Sequence, residues 1–177
     1  MARIVHQARF RSLDSTTDMS TPSAPSSSSP NDWQPSGVHH VAVYGTLRAG
    51  GVNDIARLRT GMAMAGRTTL LGTLYDMGWY PGLSLQGSQQ VLAEVYPLDA
   101  ALEQVLDGYE GIWPQDTGEY TKRILTVPVA LPGGGTQMMA VLVYEALPAA
   151  VADCPVIEAG DWLAWFQTHK AHLQNKK

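Results

Sequence analysis

The stretch YTKRILTVPVALPGGGTQMMAVLVYEA, from Tyr120 to Ala146, decides the fold of this chain. It contains two runs with the composition of strands, Tyr120–Ala130 and Thr136–Ala146, joined by Leu131–Gly135, which holds one proline and three glycines. Runs rich in Val, Ile, Thr and Tyr are typical of strands, and a short glycine-containing connection favours antiparallel pairing. We therefore predict a β-hairpin here and build the fold outward from it.

Four more runs upstream have the composition of strands: Val38–Tyr44, Thr68–Met77, Leu83–Leu85 and Gln90–Leu98. Most of them follow one another after short turns, which favours local antiparallel pairing. A twisted sheet that curves toward closure buries such strands economically. The sequence predicts an α+β fold, a small, mixed, mostly antiparallel β-barrel with flanking short helices.

Three short helices are predicted around these strands. One lies near Asn53–Thr60. Asp99 is a good N-cap for a second, which we expect to end near Asp107–Gly108, and Asp161 can cap a third that runs toward His172.

Composition restricts the classes of function. The chain has 177 residues, 45% of them hydrophobic, and a net charge of -4. The absence of a basic stripe argues against a nucleic-acid surface, and no apolar stretch reaches the roughly 20 residues of a membrane span. Cys154 is the single cysteine, which excludes an internal disulfide and fits the cytoplasm. We expect a cytoplasmic protein that binds neither nucleic acid nor membrane, with its oligomeric state open.

Residues 15–37 are poor in aliphatic side chains and rich in serine and proline. Such a segment buries too little surface to offset its chain entropy. We predict a disordered tail over residues 1–37, with Met19 as an alternative start, and one domain over residues 38–177.

A tight turn follows the first strand and contains Tyr44, Gly45, Thr46 and Leu47. Consecutive backbone N–H groups in such a turn can hold an anion or a developing oxyanion. A plain strand exit without a ligand is an equal alternative. The turn lacks the spacing of a P-loop or of a dinucleotide site.

Glu110 is the candidate acid, because it lies between Gly108 and Gly111 and next to the aromatic residues Tyr109 and Trp113. Partial desolvation there would raise its pKa toward the range useful for proton transfer. The alternative is a solvated loop glutamate. Asp107 is interpreted as a helix-end residue.

Several motifs occur in a fixed order: Tyr44–Leu47 (YGTL), Gly72–Tyr75 (GTLY), Tyr80–Leu83 (YPGL), Leu106–Gly111 (LDGYEG) with Tyr120 soon after, and Gly160–Trp162 (GDW). This ordered set resembles the γ-glutamylcyclotransferase-like family, which includes the AIG2-like proteins. The resemblance covers roughly residues 38–165.

The resemblance implies a small mixed β-barrel with a cavity at one side. It implies that Tyr44, Gly45, Thr46 and Leu47 bind a glutamyl group, that Tyr120 contributes to the substrate site, and that Glu110 is the acid/base. The implied reaction releases 5-oxoproline and an amine from a γ-glutamyl amide, without a metal or an organic cofactor. The family has a basic residue two positions after the tyrosine, which here is Lys122. Whether Lys122 or Arg123 faces the cavity stays open.

One carboxylate is chemically sufficient for this reaction, because the substrate's own α-amine is the nucleophile. Two alternatives remain. The chain could be a non-catalytic binding protein with the same pocket, or it could cleave the amide with water and release glutamate.

Overall fold

Five strands close into a barrel, as predicted. They are β1 (His40–Val43), β2 (Gly66–Asp76), β3 (Pro81–Pro97), β4 (Tyr120–Ala130) and β5 (Thr136–Ala146), arranged around the barrel as β1-β3-β2-β4-β5. The structure is a computed structural model that describes residues 32–174. Strand β1 is antiparallel to β3 and parallel to β5, and the other neighbours are antiparallel. The barrel is therefore mixed and mostly antiparallel.

The predicted hairpin is present as β4 and β5. Their register runs from Tyr120 opposite Ala146 to Ala130 opposite Thr136 without a shift. In the connecting turn the N–H of Leu131 donates to the carbonyl of Gly135 at 3.0 Å, and the φ angle of Gly135 is 85°. A positive φ is readily available to glycine, which explains the glycine-rich turn.

The two strands predicted at Leu83–Leu85 and Gln90–Leu98 form one continuous strand, β3. The register with β2 shifts between Gly72, opposite Gln89, and Thr73, opposite Ser84. An irregularity of this kind absorbs extra residues without ending the strand. The polar residues between the two apolar runs therefore do not mark a strand boundary.

Asp99 caps helix α1 (Ala100–Tyr109), and its side chain accepts a hydrogen bond from the N–H of Leu102 at 2.9 Å. The helix continues through Tyr109 and ends on Glu110 as its C-cap, slightly beyond the predicted end. The helix predicted near residues 53–60 is a single 3-10 turn, Ile55–Arg57.

Two further helices follow the hairpin. Helix α2 (Pro148–Val151) was not predicted from the sequence. Helix α3 (Trp162–Gln174) begins directly after Asp161, whose side chain accepts from the N–H of Leu163 at 3.1 Å. No helix within residues 32–174 is long and apolar enough to cross a membrane.

Two apolar clusters lie on opposite faces of β1. Ala42 and Tyr44 belong to the first cluster, which includes Trp162 of α3. Val41 and Val43 belong to the second, which includes residues of α1. Alternating side chains point to opposite faces of a strand, so both faces of β1 are buried, one by each cluster. The loop after β1 therefore starts from a fixed position.

Among the described residues, side-chain and backbone hydrogen bonds to helix α1 are already made by Trp33 and Ser36, before the domain start predicted at residue 38, and that boundary stays a prediction. The indole N–H of Trp33 donates to Asp107 Oδ2 at 2.7 Å. The N–H and hydroxyl of Ser36 donate to the two carboxylate oxygens of Glu103, at 2.7 and 2.9 Å. Residues 33–36 therefore contact helix α1. The disorder predicted for residues 1–31 lies outside the described residues and stays a prediction.

Candidate active site

The loop Tyr44–Leu47 leaves the buried strand β1 and folds back on itself. The carbonyls of Gly45, Thr46 and Leu47 accept hydrogen bonds from the N–H groups of Arg48, Asn53 and Ile55, at 3.2, 3.1 and 2.9 Å respectively. Within the described residues, the N–H groups of Thr46 and Leu47 have no such partner. Adjacent N–H groups of this kind are suited to an anion or an oxyanion.

Arg48, the residue after the loop, fixes the position of the loop through ion pairs. The sequence did not indicate this role. Its guanidinium is buried, with Nη1 at 2.7 Å from Asp161 Oδ1 and Nε at 3.5 Å from Glu94 Oε1. Glu94 in turn accepts from the N–H of Ala49 at 2.8 Å and from the hydroxyl of Tyr96 at 2.9 Å. Glu94 and Tyr96 are buried because the loop and the second cluster cover their face of β3. A buried arginine with two acidic partners holds the loop in one position.

Gly45 is required by a close approach to Pro81. A Cβ atom at position 45 would lie 2.7 Å from Cγ and 2.9 Å from Cδ of that proline. Real Cβ atoms essentially never come this close to another heavy atom. The glycine of the loop and the proline of the Tyr80–Leu83 motif therefore depend on each other.

Glu110 is the C-cap of helix α1 and is followed by Gly111, which has a φ angle of 65°. No hydrogen-bond or ion-pair partner of its carboxyl group is found among the described residues. Burial, assisted by the negative charges of Glu119 and Asp107, raises the pKa of Glu110 to about 7. A group with this pKa can accept and return a proton near neutral pH.

One cavity of about 430 Å³ brings these features together. The loop Tyr44–Leu47, Glu110 and Tyr120 all line it, so every residue that the sequence singled out for the site faces the same space. Further lining residues that sequence reasoning did not assign are Asn53, Tyr80, Pro81, Tyr109, Thr117, Glu119 and Tyr144. Tyr80 and Pro81 belong to a quoted motif, and Glu119 directly precedes Tyr120, but nothing in their local pattern indicated a cavity.

Three buried tyrosines build the cavity wall and stay neutral. The hydroxyl of Tyr44 donates to the carbonyl of Tyr144 at 2.8 Å, and that of Tyr120 donates to the carbonyl of Pro81 at 2.8 Å. Burial is the main cause that raises the pKa of each of the three tyrosines. The three tyrosines are therefore not proton donors or acceptors at neutral pH, whereas the pKa of Glu110 suits proton transfer.

Neither Lys122 nor Arg123 lines the cavity, which answers the question left open by the sequence. Lys122 Nζ lies 2.8 Å from Glu103 Oε1 and 2.8 Å from Asp107 Oδ2. Arg123 Nε lies 2.7 Å from Glu145 Oε2 on an exposed face. The basic position after Tyr120 therefore supports helix α1.

Comparison with known proteins shows the family of the chain. The family described as "Gamma-glutamyl cyclotransferase, AIG2-like" matches residues 41–164, which are most of the chain and all of the barrel except its first residue, His40. The chain belongs to this family. The matched residues include the loop Tyr44–Leu47, Glu110 and Tyr120.

Individual proteins of known name or structure are also similar to this chain. A protein of Vibrio cholerae serotype O1 named "Putative gamma-glutamylcyclotransferase" is 39% identical over 74 residues, which are 42% of this chain and 64% of that protein. The match thus spans just under two thirds of the relative's length. An aig2-like protein from Mus musculus has a TM-score of 0.53 at 27% identity, covering 70% of this chain and 88% of that one. YkqA from Bacillus subtilis shares the fold, with a TM-score of 0.53 at 23% identity, 76% coverage of this chain and 43% of that chain.

Proposed function

We propose that this member of the AIG2-like family is a γ-glutamylcyclotransferase that releases 5-oxoproline and an amine from a γ-glutamyl amide. The observation that carries the proposal is the carboxyl group of Glu110, which has a raised pKa, lacks a partner among the described residues and lines the same cavity as the loop Tyr44–Leu47. A site that only binds an anionic ligand gains nothing from such an acid.

The proposed reaction begins with proton transfer from the substrate's α-ammonium to Glu110. The freed amine attacks the γ-carbonyl carbon and closes a five-membered ring. The N–H groups of the loop stabilise negative charge on the substrate, either its α-carboxylate or the oxyanion. The bond between the γ-carbon and the amide nitrogen then breaks as Glu110 returns its proton to the leaving nitrogen. The ring nitrogen gives up its second proton to the released amine, which departs as an ammonium ion. One carboxyl group thus serves both the activation of the nucleophile and the protonation of the leaving nitrogen.

The residues around Glu110 favour an intramolecular nucleophile. Within the described residues, no group of three or more His, Cys, Asp and Glu side chains is placed to hold a metal ion. Cys154 is partly buried, its thiol faces the carbonyl of Ala150 at 3.5 Å, and it does not line the cavity. The cavity therefore offers an acid/base and backbone donors, and the substrate supplies the nucleophile.

The test is incubation of the purified full chain with a panel of γ-glutamyl amides and separation of the products by chromatography. We expect 5-oxoproline from at least one amide. Glu110→Gln keeps the shape of the side chain but cannot accept the proton, so we expect a loss of at least about 100-fold in kcat. Glu158→Gln, at an exposed position outside the cavity, is the matched control.

Two results would contradict the proposal. Release of glutamate would show hydrolysis by water. Ligand-dependent thermal stabilisation without any product would indicate a binding protein.

A further inference from the structure

Glu119 is a second carboxylate in the cavity, and proton transfer by Glu110 does not use it. We propose that Glu119 and Tyr80 form a subsite for a positively charged group on the amine half of the substrate, so that the enzyme prefers γ-glutamyl amides of diamines. This inference rests on the proposed function and adds the class of amine to it.

The charges of the cavity wall support this preference. Glu110 and Glu119 are the charged side chains among the described lining residues, which include no Lys, Arg or His. Lys122 and Arg123, the nearest basic residues in the sequence, are paired with Glu103, Asp107 and Glu145 outside the cavity. A carboxylate on the amine half would meet negative side chains without a cationic partner, whereas an ammonium group would be attracted.

The difference in burial between the two sides of the cavity places Glu119 where the amine half of the substrate would lie. The loop residues Tyr44, Thr46 and Leu47 are buried, whereas Tyr80 is 36% exposed and Glu119 is half-buried. A glutamyl group held by the loop therefore occupies the buried end, and the group attached through the amide extends toward Tyr80 and Glu119. The free amine of a diamine would reach this rim.

Tyr80 holds the Glu119 carboxylate without saturating it. Its hydroxyl lies 3.2 Å from Oε2 and 3.4 Å from Oε1 of Glu119, so it donates to the carboxylate over two long contacts. A carboxylate has about four acceptor sites, and most of them stay available for an ammonium group. The phenol ring adds an apolar and π-rich surface for the methylene chain and the cation.

Glu119 could instead hold the substrate's α-ammonium, and the experiment separates these two roles. The probes are γ-glutamyl amides of cadaverine, of hexylamine as the neutral isostere, and of aminocaproate as the carboxylate analogue. If Glu119 recognises the distal cation, Glu119→Gln lowers the preference for the cadaverine amide over the hexylamine amide. If Glu119 holds the α-ammonium, the variant affects all three amides equally.

For the wild-type protein we expect kcat/KM to be highest for the cadaverine amide and lowest for the aminocaproate amide. Glu119→Gln should reduce the preference for cadaverine over hexylamine by about tenfold, mainly through KM, as for a partly exposed charge-assisted hydrogen bond. Tyr80→Phe should reduce the preference less, and Glu158→Gln should not change it. An unchanged preference in Glu119→Gln would overturn the inference.

A second measurement keeps the subsite testable if no amide is turned over. Calorimetric titration of Glu110→Gln with the three amides reports binding alone. Tighter binding of the cadaverine amide that is lost in Glu110→Gln/Glu119→Gln would support the subsite while the proposed reaction fails. Equal binding of all three amides, or no binding of any, would refute the subsite.

Discussion

The hydroxyl of Tyr144 donates a hydrogen bond of 2.7 Å to Oδ1 of Asp107, and this contact joins the cavity wall to helix α1. Asp107 is wholly buried, and its other oxygen accepts from Lys122 Nζ at 2.8 Å and from the indole N–H of Trp33 at 2.7 Å. Three donors from three separate segments thus meet on one carboxylate. Because Asp107 precedes Glu110 by less than one helical turn, this network holds the end of α1 that carries the acid.

We expect Asp107→Asn to destabilise the protein by about 3 kcal/mol, because the amide NH2 group cannot accept the hydrogen bonds that the buried carboxylate accepts from Tyr144, Lys122 and Trp33, although Lys122 keeps Glu103 as a partner. The measurement is urea denaturation, and Asp153→Asn at an exposed position is the control. The double variant Asp107→Asn/Lys122→Met should be less destabilised than the sum of the single variants. A change below about 1 kcal/mol in Asp107→Asn would contradict a structural role for the network.

The network also shows what the sequence could not reveal. Asp107 looked like a helix-end residue, and local pattern contains no information on which distant side chains meet it. Lys122 and Trp33 reach it from a strand and from a segment before the barrel. The same holds for Arg48 and Glu94. In the sequence each has the appearance of an exposed surface charge, and they are buried together because the barrel closes.

Structural features that depend on residues close together in the sequence could be predicted. The hairpin Tyr120–Ala146 and the capping of α1 by Asp99 depend on turn and cap chemistry within a few positions, and both are confirmed. The break expected within β3 was wrong, because a register shift absorbs the polar residues. The sequence did not indicate that Glu119 lines the cavity. As for Asp107, the residues around it in the fold are distant from it in the sequence.

Glu110→Gln should stabilise the protein increasingly as pH rises. The pKa of Glu110 is raised from 4.5 to about 7, so the folded state holds a proton in an interval where the unfolded state has lost it. The stability of the wild-type protein therefore falls as pH rises through this interval. The variant lacks this pH dependence because glutamine does not titrate. We expect the gain in free energy of unfolding to grow by about 3 kcal/mol from below pH 4.5 to above pH 7.

Urea denaturation of both proteins across this pH range measures that difference. Glu158→Gln, which removes an exposed carboxylate, should show no such increase with pH. If the difference in free energy of unfolding between Glu110→Gln and the wild-type protein does not change with pH, the pKa of Glu110 is not raised in the folded state.

The pH dependence of turnover should change when Glu119 is neutralised. As a base, Glu110 must be deprotonated, so kcat/KM should rise with pH through an apparent pKa near 7. The charge of Glu119 raises the pKa of Glu110, so Glu119→Gln should move this rise to lower pH. Both proteins are measured with the neutral hexylamine amide, so that titration of the substrate is common to both. A shift to higher pH would contradict the assignment of Glu110 as the base.

Residues 33–36 should contribute to stability although they precede the barrel. Trp33→Phe removes the indole donor to Asp107 and should cost about 1 kcal/mol. A chain shortened to begin at Val38 also loses both hydrogen bonds from Ser36 to Glu103, leaving that buried carboxylate with Lys122 as its described partner. We expect a loss of about 2–4 kcal/mol relative to a chain that begins at Asp32.

Thermal and urea denaturation of these chains measure the contribution directly. Trp79→Phe is the matched control for the indole, because Trp79 is exposed and lies away from helix α1. Since Asp107 and Glu103 lie on the helix that ends at Glu110, the shortened chain should also lose kcat more than it raises KM. Equal stability of the chains that begin at Asp32 and at Val38 would show that the contacts of Trp33 and Ser36 contribute nothing, and that the domain begins where the barrel begins.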